Sequence, residues 1–245
     1  MIMITGLGRC GTSFFAQLFK NLGWGVGYTL NFHDELKAGM ELIPAYHISR
    51  DMFTDHICKN VNGVEEYTGE VPLDKKIHDD GYWKCDISFR EKINRLDFDT
   101  PPERNEGHVE VIKDPRITWN PKIIRAWWEV RKDLKLIILH RKPEDVIKSR
   151  EAIGIKEYGG PQHFWDPKRR KVLREFKEDF SDFMTEVLHW EIPYTLLFYP
   201  NFMYYEPSRI KDVIYRDLGV DVESKGRVFE TVWNQLLDKD KISVF

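Results

Sequence analysis

Cysteine is scarce: Cys10, Cys58 and Cys85 are the only three in 245 residues. Their number is odd and none stand in a Cys-x-x-Cys spacing, so the chain has neither a disulfide framework nor a zinc pattern. That usage suits a reducing compartment, and a cytoplasmic location is expected. Long apolar runs are missing too. Nothing approaches the roughly 20 residues that span a bilayer, and no signal segment is expected ahead of the strand-like Met-Ile-Met-Ile-Thr-Gly start. No excess of positive charge exists either. Lys plus Arg number 37 against 40 Asp plus Glu, a net charge of −3, which lacks the basic footprint of a dedicated nucleic-acid binder. Internal repeats and low-complexity tracts are absent. What remains is a globular composition, 42% hydrophobic, 13% aromatic and 31% charged. A compact chain of this length buries roughly three quarters of its unfolded surface without staples. One domain over residues 1–245 is expected, because open α/β sheets reach this length undivided.

Strand-like and helix-like segments alternate. Ile2–Thr5 is short, apolar and β-rich. Phe14, Phe15, Leu18, Phe19 and Leu22 then recur at helical spacing over residues 12–22. Residues 24–30 predict a second strand and 42–58 a helix. Residues 60–108, rich in charge and turn residues, read as an irregular insertion with short helices. Val109–Lys113 predicts a strand, Pro121–Lys132 a helix, and Leu134–His140 a strand. The near-continuous apolar run of that last strand suits a parallel sheet covered on both faces. Pro143 sits where a first helical turn tolerates proline. A long helix over 167–191, a strand over 194–199 and helices near 207–218 and 225–238 complete the pattern. Such alternation predicts a three-layer α/β/α fold with a mainly parallel sheet.

The chemistry concentrates in Ile4-Thr5-Gly6-Leu7-Gly8-Arg9-Cys10-Gly11-Thr12-Ser13, which joins the first strand to the first helix. A loop there converges backbone N–H groups and a helix N-terminus on one point, a setting for phosphate or sulfate. Gly6, Gly8 and Gly11 satisfy Gly-x-Gly-x-x-Gly, the dinucleotide fingerprint. Gly6, Gly11 and Thr12-Ser13 nearly satisfy the P-loop pattern, but Thr12 replaces its lysine. That lysine serves the β- and γ-phosphates of a nucleoside triphosphate, so its absence counts against Mg-ATP chemistry. Here the cation is Arg9, at the front of the loop. As a mere tight turn, the segment would use Thr12 as an N-cap.

Two further basic elements follow strands. Arg141 stands just past the buried strand at the carboxyl edge where open α/β sheets bind ligands, and Ser149 lies eight residues on. Lys113-Asp114-Pro115-Arg116 ends another strand, with Asp114 placed to orient a cation. Three basic loops at strand ends describe a pocket for a ligand of several negative charges.

Together these residues resemble the sulfotransferase family. Arg9-Cys10-Gly11-Thr12-Ser13 is similar to its phosphosulfate loop, Lys113-Asp114-Pro115-Arg116 to a Lys-Asp-Pro-Arg stretch of bacterial-type members, and Arg141 through Ser149 to its 3′-phosphate element. The resemblance spans residues 2–150. It implies a P-loop NTPase-like α/β fold and 3′-phosphoadenosine 5′-phosphosulfate as co-substrate, with no metal. Gly8, Arg9, Cys10, Gly11, Thr12 and Ser13 would hold the phosphosulfate, and Arg141 and Ser149 the 3′-phosphate. Arg9 and Lys113 would act on the transferred group. Cys10 replaces a residue commonly serine, a mild change where backbone N–H groups bind. Pro115 occupies the place where some members carry a histidine base. A base for the acceptor hydroxyl is then sought at Glu41, Glu35 or His33; Gly39-Met40-Glu41 resembles a Gly-aromatic-Glu element of bacterial-type members, with methionine in the aromatic place. The implied acceptor is a hydroxyl of a small molecule, sugar or lipid headgroup, with no nucleic-acid partner and no integral membrane contact.

Other readings stay open at this stage. They are an NAD(P)-dependent oxidoreductase using Gly6, Gly8, Gly11 and an acid at Asp34 or Glu35, a P-loop small-molecule kinase, and a non-catalytic nucleotide-binding module. Lys225-Gly226-Arg227 is a further basic loop with a possible reach to the 3′-phosphate. Trp127, Trp128 and Trp190 read as core. Phe198, Tyr199, Phe202, Tyr204 and Tyr205 fit either an acceptor pocket or plain packing.

Overall fold

The structure, a computed structural model, describes residues 1–26, 29–30, 41–42, 58–61, 64–67, 109–119, 121–152 and 169–237. Its centre is a sheet of four parallel strands: β1 (Ile2–Gly6), β6 (Val111–Lys113), β7 (Lys135–His140) and β8 (Tyr194–Phe198), in the order β6-β1-β7-β8. β1 lies between β6 and β7, with Ile4 opposite both Lys113 and Ile137. All four strands therefore end at one edge, which carries Gly6, Lys113, His140 and Phe198.

Side chains alternate across each strand, so β1 feeds two cores. Ile2 and Ile4 join Val111, Ile137, Leu139 and Leu197 on one face. Helices α1 (Thr12–Asn21), α5 (Pro207–Leu218) and α6 (Phe229–Leu236) cover it. Met3, Ile112, Leu136 and Ile138 face the other way, under α2 (Pro121–Val130) and α4 (Arg169–His189). Trp127 is buried there, as its apolar helical spacing predicts. The result is a three-layer α/β/α fold with an all-parallel central sheet, as the strand–helix alternation predicts.

Helix α1 shows why sequence and structure agree locally. Phe15, Leu18 and Phe19 bury one stripe against the sheet. The helix stops at Gly23, whose φ of 94° suits glycine. The Gly23 N–H donates to the Lys20 carbonyl at 3.0 Å, and Trp24 N–H to Phe19 at 3.0 Å. Those bonds form a Schellman cap, completed by the edge-to-face contact of Phe19 and Trp24 at 5.6 Å.

Some boundaries differ from expectation. Trp24–Val26 is not strand; instead β2 (Thr29–Leu30) pairs antiparallel with β3 (Glu41–Leu42). The proposed helix over 42–58 falls on residues outside the described ones, apart from Leu42 in β3 and Cys58 in β4. At the start of the supposed insertion, β4 (Cys58–Val61) and β5 (Val64–Tyr67) pair antiparallel where irregular chain was expected; 68–108 lies outside the described residues. Asn62-Gly63 between two β-rich runs is a strong short hairpin signal, outweighing the charge that suggested irregularity. The last helix begins at Phe229, not 225, since Asp221–Gly226 is occupied by turns.

Candidate anion-binding site

The loop from Gly6 to Gly11 leaves β1 between its two neighbours and enters α1. Positive φ angles at Gly8 (73°), Arg9 (54°) and Gly11 (91°) curl it. Gly11 is the N-cap of α1 and makes no side-chain capping bond, and the first turn carries no acid. Thr12 is thus the first helical residue rather than the cap. The N–H groups of a first turn have no partner within their own helix, and the positive end of the helix dipole adds to them. Leu7 anchors the loop from below, buried against Val146 and Phe176.

Two arginines meet at this loop. Arg141 follows β7 and is 7% exposed; its Nη1 donates to the Arg9 carbonyl at 2.9 Å. The Arg9 side chain donates from Nε to Ser149 Oγ at 3.3 Å, and Ser149 lies on α3 (Pro143–Ala152). The loop, Arg141 and Ser149 therefore form one cluster, although they are separated by more than 130 positions in the chain. Burial, and then the neighbouring charge of Arg141, push the Arg9 pKa below its ordinary value. Like charges brought together away from water are costly unless an anion joins them.

Tyr199 is a component that the motifs did not reveal. The Arg141 guanidinium lies 4.9 Å from its ring centroid, a cation–π contact. A methyl placed on Gly11 would come within 3.3 Å of Tyr199 Cδ2 and 3.0 Å of Phe202 Cζ. Burial raises the Tyr199 pKa, with the two arginines opposing that rise. Its backbone N–H donates to the His140 carbonyl at 2.7 Å, which fixes it beside Arg141. Only the pairing of β8 with β7 brings it there; the aromatic cluster in the sequence marked Tyr199 merely as one of five residues fitting a pocket or plain packing. Of the other aromatics, Phe202 is core, while Phe198 and Tyr204 are half or more exposed.

Lys113 ends β6 and is 5% exposed, in register with Ile4 just ahead of the loop. Asp114 is buried beside it, and its N–H donates to the Ile4 carbonyl at 3.0 Å. The Arg116 side chain, Glu35, His33 and the Glu41 side chain lie outside the described residues. The backbone of Glu41 does fall within them, in β3, which lies against β6 with Cα atoms within 8 Å.

Lys225-Gly226-Arg227 sits elsewhere. Arg227 Nη1 donates to the Asn21 carbonyl at 2.8 Å, at the far end of α1. Lys225 Nζ bonds Glu110 Oε1 at 2.7 Å, ahead of β6. A ten-residue helix is about 15 Å long, so this loop lies at the amino edge of the sheet, a helix length from Gly11. It ties the chain together and does not reach the anion loop. Replacing Lys225 and Arg227 by alanine is expected to lower stability by about 1 kcal/mol, since both side chains are partly solvated. Anion affinity should stay within about twofold; urea unfolding beside calorimetric titration checks both.

Among the described residues no group of three or more His, Cys, Asp or Glu is placed to hold a metal, and no helix is long and apolar enough to cross a membrane.

Fold and loop together define a parallel α/β protein with a curled glycine loop and two arginines at the carboxyl edge of its sheet. No family model matches the chain, and no curated protein does. Among solved structures, the sulfotransferase STF1 from Mycobacterium tuberculosis H37Rv is similar over 96% of this chain and 75% of that one. Identity is 13% and the TM-score 0.43.

Proposed function

We propose that the chain is a sulfotransferase, moving a sulfuryl group from 3′-phosphoadenosine 5′-phosphosulfate to a hydroxyl of a small molecule, sugar or lipid headgroup. The observation that carries this reading is the meeting of Arg9, Arg141 and Ser149 at one glycine loop that opens on a helix N-terminus. A buried cation, a partly buried one and a set of converging amides suit a ligand with two separate anionic groups better than one with a single phosphate. Gly8, Arg9, Cys10, Gly11, Thr12 and Ser13 would hold the 5′-phosphosulfate, and Arg141 with Ser149 the 3′-phosphate. Positive φ at Gly6, Gly8, Arg9 and Gly11 supports this reading, since such a curled run of backbone can turn successive N–H groups toward one anion. A cation within the loop stands in for the missing P-loop lysine.

Sulfuryl transfer asks for in-line placement, charge stabilisation and a base. Arg9 and Lys113 would supply the charge, from the ends of adjacent strands. Glu41 is the preferred base because β3 runs beside the strand that ends in Lys113; Glu35 and His33 are the other candidates.

Calorimetric titration with adenosine 3′,5′-bisphosphate, in EDTA, tests the reading. Micromolar binding is expected, with AMP at least about tenfold weaker, a loss on the order of 1.4 kcal/mol for the 3′-phosphate. Equal affinity for AMP, or binding of NADH or Mg-ATP in place of the bisphosphate, would refute it.

A further inference from the structure

An anion cradle works only if its own carbonyl oxygens are averted, because each one facing the ligand repels it. Two carbonyls of this loop are held by donors. Arg141 Nη1 holds that of Arg9 at 2.9 Å. The other belongs to Gly6, and Thr118 Oγ1 donates to it at 3.2 Å. Thr118 lies in a short 3-10 turn, Pro115–Trp119, immediately after the Lys113-Asp114 pair. It is fully buried, so the Gly6 carbonyl points into the protein.

We propose that Thr118 is a positioning residue for the anion loop, keeping the Gly6–Leu7 peptide turned so that its carbonyl faces inward. The peptide is planar and trans, so an inward C=O sends the Leu7 N–H the opposite way. The inference rests on the reading that the loop holds an anion, but not on which nucleotide carries it.

Thr118 Oγ1 also lies 3.0 Å from the Pro115 carbonyl, and a hydroxyl has one proton, which the two acceptors share. Thr5, one residue before Gly6, donates Oγ1 to the Asp114 carbonyl at 2.9 Å. Two buried hydroxyls thus stitch the entrance of the loop to the turn after Lys113, each donating to a backbone carbonyl of the other segment. Loss of the Thr118 hydroxyl would leave the Gly6 carbonyl without that donor and let the peptide relax toward the ligand.

The test is a donor series: Thr118→Ser, Thr118→Cys and Thr118→Val, titrated with adenosine 3′,5′-bisphosphate and with inorganic pyrophosphate. Thermal melts of the unliganded proteins are run beside them. Affinity is expected to follow donor strength, with Ser within about twofold of the parent, Cys intermediate and Val about tenfold weaker, for both probes. A role in packing alone would instead follow side-chain shape, and would favour Val, the closest match in shape, over Ser. A Val variant that binds within twofold of the parent, or a Ser variant as weak as Val, overturns the proposal. If Val does not fold, the order of Ser against Cys decides it: equal affinities overturn it. A parent protein that binds pyrophosphate but not the bisphosphate sinks the sulfotransferase reading and leaves Thr118 to be judged on pyrophosphate. A parent that binds neither overturns both.

Discussion

Replacing Arg9 by glycine is expected to destroy anion binding while leaving the protein as stable as before, or more so. Arg9 holds φ at 54°, a left-handed conformation that costs a non-glycine residue about 1 kcal/mol. It is also largely desolvated beside Arg141, and both effects depress its pKa. Glycine removes the backbone penalty and the like-charge contact; it loses the bond to Ser149 and gains freedom in the unfolded chain. The opposing changes nearly cancel, so the melting temperature should stay level or rise by a few degrees. Affinity for adenosine 3′,5′-bisphosphate should fall about 100-fold or more, since a charge-assisted contact inside a sheltered loop is lost. Arg9→Lys should recover part of that affinity, because it keeps the charge but not the planar fork. Melting curves and titrations on the same samples check the pair of outcomes. A variant that loses stability yet keeps its affinity would make Arg9 a structural residue.

The second large effect is expected at Gly6. A methyl added there would sit 2.2 Å from the Leu139 carbonyl oxygen and 2.6 Å from Cys10 Sγ, with φ at 154°. Leu139 is in β7, paired on both sides within the sheet, and its backbone has nowhere to retreat. Gly6→Ala should therefore cost about 3 kcal/mol or more, a large share of the roughly 5–15 kcal/mol that holds a domain together. The urea midpoint, or the soluble yield, reports it. Gly226→Ala is the matched control: φ is 78° and nothing lies within 4 Å, so only the conformational penalty of about 1 kcal/mol applies. Similar losses at the two positions would mean that the close approach at Gly6 is not what demands glycine.

Much of the site was legible in the sequence, because its pieces are local. A β-rich run, then glycines, an arginine and two hydroxyls, then an apolar stripe at helical spacing can only be read as strand, loop and helix. Arg141 and Lys113 were recognisable by standing directly after apolar runs. What escaped were contributors with no local mark. Tyr199 reads as one aromatic among five near the end of β8, and Thr118 as one hydroxyl in a short turn. Lys225-Gly226-Arg227 misled in the other direction. Its composition suits an anion, yet the turn that holds it packs against the far end of α1, where its charges are spent on Glu110 and the Asn21 carbonyl.

For the central sheet and the helices that cover it, the sequence by itself determined the kinds of element and their order, since these follow from side-chain periodicity and turn chemistry over a few positions. Tertiary structure alone decided which strands are neighbours. β1 pairs with β6 and β7, both more than 100 residues away, and that choice depends on how two apolar faces are shared between helices on either side. With β1 central, Lys113, the glycine loop and Arg141 come to one edge, and Arg9 lies against Arg141 and Ser149. No periodicity records that arrangement, because it is settled by burial of the whole sheet rather than by any one segment.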